Sequence, residues 1–338
     1  MTERELLSDF LTQRGVSRRS FLRFCAVTAS ALALPTTAAR AMAEQLATAP
    51  RPSVIWLSFQ ECTGCTESLI RTDASTIESL ILDHLSLDYH HTLQAASGEA
   101  AEQARERVIA ENFGNYVLIV DGAIPTGEQA AWSTVAGQTN LQMLQHAAKG
   151  AALVIAIGTC ATFGGIPAAT AIHGAKPNQS GASGVDALMS AGLVPSRTLV
   201  NVPGCPPVPN AISGVIAHFL AFGAPPDLDS LLRPTAYYAD TVHERCSRLK
   251  HYKRGRFALD FNDEGAHRGY CLYLLGCKGP ETHNACPSLK WNGGTSFPMH
   301  SGHGCLGCSE PGFWDRSLAP EGGRFIGSAF YPDFPPTN

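Results

Sequence analysis

Four short apolar runs recur between residues 53 and 202, and they constrain the fold more than any other feature. They are Ser53-Val54-Ile55-Trp56-Leu57-Ser58, Tyr116-Val117-Leu118-Ile119-Val120, Ala152-Leu153-Val154-Ile155-Ala156-Ile157 and Thr198-Leu199-Val200-Asn201-Val202. Each is rich in β-branched residues with Gly or Pro close by, as expected of strands covered on both faces. Helix-compatible stretches such as 99–112 and 185–191 lie between them. The alternation predicts βαβ units and hence a doubly wound parallel sheet in an α/β fold. After about residue 230 Gly, Pro, Asn and aromatic residues become dense and no long periodic segment appears. The chain therefore divides into residues 50–230, the α/β domain, and 231–338, a smaller and largely irregular one, with the boundary near 227–236.

Residues 1–43 read as a separate unit. Ser17-Arg18-Arg19-Ser20-Phe21-Leu22-Arg23-Phe24 precedes an apolar, small-residue run at 25–34, and Ala39-Arg40-Ala41 and Ala41-Met42-Ala43 both fit a small-x-small cleavage site. Those three parts in that order make a twin-arginine export signal; the alternative is an amphipathic first helix with a chance Arg pair. Its removal takes six Arg and three acids, moving the formal charge from −4 to −7. That route carries folded cargo, which suits a protein loaded with a metal cofactor before it crosses. The expected location is periplasmic. No other segment reaches the roughly 18 apolar residues that span a bilayer, and the final stretch, Phe330-Tyr331-Pro332-Asp333-Phe334-Pro335-Pro336, cannot do so. The acidic balance, with no obvious basic face, argues against nucleic acid.

Of eleven cysteines, Cys25 leaves with the signal and ten remain. Disulfide scaffolds are usually small secreted domains and need no folded export, so metal ligation is the better reading. A first set, Cys62, Cys65, Cys160 and Cys205, falls just after the ends of expected parallel strands, the edge at which open α/β sheets assemble their sites. Four thiolates converging there make a 4Fe–4S site; structural zinc or inert buried cysteines are the competing readings. A second set is His243 with Cys246, at i and i+3 on one helical face, then Cys271 and Cys277. Its Cys₃His inventory fits zinc as well as a 4Fe–4S cluster. A third set, Cys286, Cys305 and Cys308, has three thiolates and suits a 3Fe–4S cluster. His283, His300 and His303 lie nearby, either as surface histidines or as a fourth ligand. Four, four and three ligands use all ten cysteines and one histidine. No nucleophile elbow, phosphate-binding glycine loop or HExxH helix is present, so the inventory describes a relay rather than a catalyst.

The residues resemble the small subunits of nickel–iron hydrogenases over nearly the whole chain. The resemblance is carried by the leader, Glu61-Cys62-Thr63-Gly64-Cys65-Thr66-Glu67-Ser68, Gly158-Thr159-Cys160-Ala161 and Val202-Pro203-Gly204-Cys205-Pro206-Pro207. It continues in Val242-His243-Glu244-Arg245-Cys246, Gly276-Cys277-Lys278-Gly279-Pro280-Glu281-Thr282 and Ser301-Gly302-His303-Gly304-Cys305-Leu306-Gly307-Cys308-Ser309-Glu310-Pro311. It implies a flavodoxin-like domain carrying a proximal 4Fe–4S cluster on Cys62, Cys65, Cys160 and Cys205. It further implies a medial 3Fe–4S cluster on Cys286, Cys305 and Cys308 and a distal 4Fe–4S cluster on His243, Cys246, Cys271 and Cys277. The nickel–iron site that splits hydrogen would belong to a partner large subunit, and the acceptor would be a cytochrome or a membrane iron–sulfur protein. Gly64 and Gly165 stand where oxygen-tolerant relatives carry two extra cysteines, so a standard proximal cluster and an oxygen-sensitive enzyme are expected. Pro298 stands where a fourth cysteine would make the medial site 4Fe–4S. Glu61 is expected to cap the helix that follows it or accept backbone hydrogen bonds, with proton relay as the alternative.

Overall fold

The computed structural model describes residues 18–32, 34–48, 52–71, 86–169 and 179–314. In chain order its principal elements are helices α1 (Arg18–Ala31) and α2 (Thr36–Thr48), strand β1 (Ser53–Ser58), α3 (Gly64–Ile70), β2 (Ser86–His90), α4 (Gly98–Glu111) and β3 (Tyr116–Asp121). Then come α5 (Asn140–Ala148), β4 (Ala151–Ile157), α6 (Gly158–Phe163), α7 (Val185–Ser190), β5 (Leu199–Val202) and α8 (Pro209–Phe222). The four expected strands all form, to within a residue at their ends. A fifth, β2, was not legible: Ser-Leu-Asp-Tyr-His is half polar because it lies at the sheet edge, where only Tyr89 and His90 are buried.

Every pairing within this five-stranded sheet is parallel, and the strand order is β2-β1-β3-β4-β5. This is the 2-1-3-4-5 order of flavodoxin-type sheets. Alternate side chains feed two cores. Val117 and Ile119 of β3 face α8, whereas Leu118 and Val120 face α4, α5 and α7. Helix α8 starts on Pro209, whose missing N–H costs nothing in a first turn, and ends at Gly223 in the left-handed region (φ 67°). It is apolar nearly all round because it is covered on both sides: by the sheet, and by α1 and α2, whose Phe21, Cys25, Met42 and Leu46 are buried in the same core. Helix α2 runs unbroken through Ala41–Ala43, the expected cleavage region. Ser17 and the 330–338 tail lie outside the described residues. Among those described, no helix is long and apolar enough to cross a membrane.

Beyond Thr235 the regular elements shrink to single turns, of which α9 (Val242–Arg245) and α10 (Leu249–Tyr252) matter here. The third core, built on Val208, Val242, Leu272, Leu275, Phe297 and Met299, includes three of the candidate ligands, Cys277, Cys286 and Cys305. Among the described residues, the segment has no core independent of its cysteines. A buried guanidinium ties it to the sheet domain: Arg233 pairs with Asp229 at 2.8 Å and with Glu310 at 3.0 Å. The neighbouring Leu232 carbonyl accepts the Asn201 N–H of β5 at 2.8 Å.

Candidate metal centres

The first cysteine set assembles where three strands end. Cys62 lies in the turn after β1 and Cys65 in the first turn of α3. Cys160 sits in α6, which begins as β4 stops, and Cys205 follows β5. The backbone passes close to these thiols. A Cβ at Gly158 (φ +82°) would lie 2.5 Å from Cys65 Sγ, so glycine alone allows β4 to turn into α6 there. Thr159 then locks the arrangement. Its N–H donates to the Gly204 carbonyl at 3.0 Å, its hydroxyl accepts the Gly204 N–H at 2.9 Å, and the same hydroxyl donates to the Cys308 carbonyl. Burial pushes the Cys160 thiol up to about 11 and that of Cys205 to about 12; the charges of Cys160 and Cys62 add to the rise at Cys205. Cys65 is driven well up by burial, then by Asp121, Cys160 and Cys205. Thiols in such a place stay protonated and inert until a metal displaces the proton.

The third set lies against the first. The Cys308 thiol, pushed up to about 12 by burial, interacts with the backbone and the thiol of Cys205. A cavity of about 440 Å³ is lined by Cys205, Cys286, Cys305 and Cys308, together with Pro298 and Met299. On its far side the third set meets the second. Cys305 N–H donates to Cys277 Sγ at 3.2 Å, and Lys278 N–H donates to the Cys305 carbonyl at 2.9 Å. Cys305 Sγ also takes the Gly307 N–H at 3.5 Å and lies 3.4 Å from the Thr282 hydroxyl.

The second set closes around α9. Thr241 and Glu244 form a reciprocal capping box that fixes this single turn, with His243 inside it and Cys246 at its end. A Cβ at Gly279 would lie 3.5 Å from both Cys277 Sγ and His243 N, so these two strands of chain run side by side. Cys271 is pushed up to about 12 by burial and by its neighbours Cys277 and Cys246. The Arg248 N–H donates to Cys246 Sγ at 3.4 Å. The His243 ring meets Tyr252 edge-on at 4.5 Å, and burial lowers its pKa, favouring the neutral form that binds metal.

All eleven cysteines are free of disulfides. The other loop histidines have partners of their own: His283 lies 3.4 Å from Glu310, His303 is 2.9 Å from the Gly304 carbonyl and stacks on Phe261, and His300 packs on Phe297. Among the described residues, no three His, Cys, Asp or Glu gather tightly enough for one metal ion. The sets are spread, as ligands to separate irons of a cluster are. Gly64 and Gly165 do face the first set: a Cβ at either would lie 3.1 Å from Cys62 Sγ or 3.0 Å from Cys160 Sγ, respectively.

One acid escaped the sequence reading. Asp121 ends β3, fully buried, and neither carboxylate oxygen has a hydrogen-bond partner among the described residues. Burial, with Glu61 nearby, pushes its pKa up to about 7, and it faces Cys65. Asp121 closes an otherwise apolar run at a strand exit, the same sequence signal that marks the cysteines. Glu61 differs from expectation. It accepts the Thr63 hydroxyl at 3.3 Å and, among the described residues, caps no backbone N–H.

The comparisons with known proteins agree along the chain. Residues 62–219 match the family described as NADH ubiquinone oxidoreductase, 20 kDa subunit, and residues 238–319 match the family of the C-terminal region of NiFe/NiFeSe hydrogenase small subunits. The chain is 42% identical over 316 residues to the uptake hydrogenase small subunit of Afipia carboxidovorans, covering 94% of this chain and 83% of that one. It is 44% identical to periplasmic [NiFe] hydrogenase small subunit 1 of Nitratidesulfovibrio vulgaris, covering 93% and 95%. The fold superposes on the crystal structure of a reduced, active form of the Ni-Fe-Se hydrogenase from Desulfomicrobium baculatum with TM-score 0.71 at 33% identity, covering 80% of this chain and 98% of that one. The strand order, the cysteine sets and these likenesses lead to one conclusion: the chain belongs to the family of nickel–iron hydrogenase small subunits.

Proposed function

We propose that the chain is the electron-relay subunit of a periplasmic hydrogenase, paired with a large subunit that holds the nickel–iron site and exported by the twin-arginine route. The observation that carries this reading is spatial order. Cys308 touches Cys205 and Cys305 touches Cys277, so the third set lies between the first and the second. In sequence it comes last. A relay needs the middle station in the middle; three unrelated structural sites do not.

The residues present fit iron–sulfur clusters. Cys62, Cys65, Cys160 and Cys205 would hold the proximal 4Fe–4S cluster, Cys286, Cys305 and Cys308 the medial 3Fe–4S cluster, and His243, Cys246, Cys271 and Cys277 the distal 4Fe–4S cluster. The 440 Å³ cavity against Cys286, Cys305 and Cys308 has room for more than one atom, and Pro298 supplies no fourth ligand. Such clusters supply one-electron carriers between the large subunit and an acceptor. The polypeptide's part is to hold and tune them. Backbone N–H groups of Cys305, Gly307 and Arg248 aim at ligand sulfurs, and hydrogen bonds to sulfur are among the groups that set a cluster's potential. Signal removal would uncover the α8 face on which α1 and α2 lie.

The reading is tested on the anaerobically purified heterodimer by metal analysis and EPR spectroscopy. The expected result is about twelve irons per heterodimer, eleven in the three clusters and one in the large subunit's nickel–iron site, with an oxidised 3Fe–4S signal and two further signals on reduction by hydrogen. Zinc without iron would overturn it.

A further inference from the structure

Residues 245–256 contain six Lys or Arg and no acid, in a chain whose formal charge is −4. Two of the six are used locally. Arg245 pairs with Asp240 at 2.7 Å, and Arg248 donates to the Met299 and Tyr270 carbonyls at 2.8 and 2.6 Å. The other four, Lys250, Lys253, Arg254 and Arg256, are exposed, and among the described residues none of them forms an ion pair. Four like charges on α10 and the turn after it repel one another, and the fold gains no pairing in return.

These cations surround the second ligand set. Tyr252, between Lys250 and Lys253, carries the edge-on contact to His243, and the charge of Lys253 bears on that imidazole. The Arg256 carbonyl accepts the Cys271 N–H at 3.1 Å, while its guanidinium lies 6.0 Å from the Tyr270 ring centroid. At the centre, His251 feels Lys250, Arg256, Arg254 and Arg248 together. Beside them, Leu259 is 72% and Phe261 39% exposed, with Asp260 between them the single acid against four cations in 250–261. Apolar side chains rimmed by unpaired charge are the anatomy of a transient protein interface.

We propose that residues 250–261 form the docking surface for an acidic redox protein that collects electrons beside His243. The inference rests on reading His243, Cys246, Cys271 and Cys277 as the outermost ligand set. Charge complementarity names the partner: a surface of this sign attracts an acidic protein, speeds its encounter and disfavours a cationic one. An anionic membrane would match the sign but accepts no electrons, and it gives no reason for the cations to centre on the redox ligands.

The test uses the complete heterodimer and its Lys250→Glu/Lys253→Glu/Arg254→Glu variant, with the distal EPR signal as the check that the site is intact. Hydrogen-driven reduction is measured with an acidic rubredoxin, a cationic cytochrome c and the uncharged duroquinone. The expected result is a loss of about tenfold or more in kcat/KM for rubredoxin at low ionic strength, a gain for cytochrome c and no change for duroquinone. Added salt should slow the wild-type rubredoxin reaction. Equal rubredoxin rates in the two proteins would overturn the proposal. So would a variant that loses only its co-sedimentation with phosphatidylglycerol vesicles, since that assigns the surface to lipid. If the wild type fails to reduce even duroquinone, the relay reading itself falls, which is a different failure.

Discussion

Pro298 lines the cavity shared by Cys286, Cys305 and Cys308, and in the proposed relay this one side chain would set how many irons the medial site holds. The carbonyl of Pro298 accepts the His303 N–H at 3.0 Å, a bond any residue would keep, so the position tolerates substitution of the ring. Pro298→Cys adds a fourth thiol to three already present. The expected outcome is loss of the oxidised 3Fe–4S EPR signal and the appearance of a third reduced 4Fe–4S signal. An unchanged 3Fe–4S signal in a variant with full iron content would show that Pro298 does not face the cluster. Asp121 belongs at the same scale. A fully buried carboxyl without a hydrogen-bond partner is costly, and its cost is borne at the strand edge where the cysteines gather.

At the scale of elements, the junction between β4 and α6 carries the tightest constraint. Gly158 combines a left-handed backbone with a hypothetical Cβ only 2.5 Å from Cys65 Sγ. Gly158→Ala should therefore destabilise the protein by about 1–3 kcal/mol and disturb the proximal EPR signal while sparing the other two. A melting temperature and a proximal signal equal to the wild type would contradict this. The junction also shows how far the sequence could be read. The strands β1, β3, β4 and β5 were legible because burial on both faces writes long apolar runs. Strand β2 was not, because an edge strand needs few apolar residues. The cysteine sets were legible from inventory and strand exits. Their order in space was implied by the family resemblance alone, since nothing local to Cys308 says that it folds back onto Cys205. Thr159, the residue that makes that link, is an unremarkable threonine in sequence. The basic collar at 245–256 was hidden by a net charge of the opposite sign.

Across the whole molecule, two parts of different character meet through apolar packing of Tyr237 and Tyr238 on a sheet core and through polar links such as Thr159 to Cys308 and Tyr238 to the Pro203 carbonyl. The sheet domain is held by two apolar cores, one of which takes in Tyr237 and Tyr238, whereas the third core of the later segment includes Cys277, Cys286 and Cys305. Arg233, 6% exposed, bridges them through Asp229 and Glu310. Removing one member of a buried ionic group leaves the others uncompensated, at a cost of about 3–5 kcal/mol. Arg233→Ala should lower the melting temperature of the heterodimer accordingly and weaken retention of the proposed medial cluster, since Cys308 lies two residues from Glu310. An unchanged melting temperature would show that the bridge is idle.

The central claim is that Cys286, Cys305 and Cys308 hold the middle station of a three-station relay. Rapid mixing of the oxidised Cys305→Ala heterodimer with hydrogen, followed by freeze-quench EPR spectroscopy, tests it most directly. The proximal signal is expected to develop at the wild-type rate while the distal signal is delayed by orders of magnitude. A distal signal that develops as fast as in the wild type would contradict it.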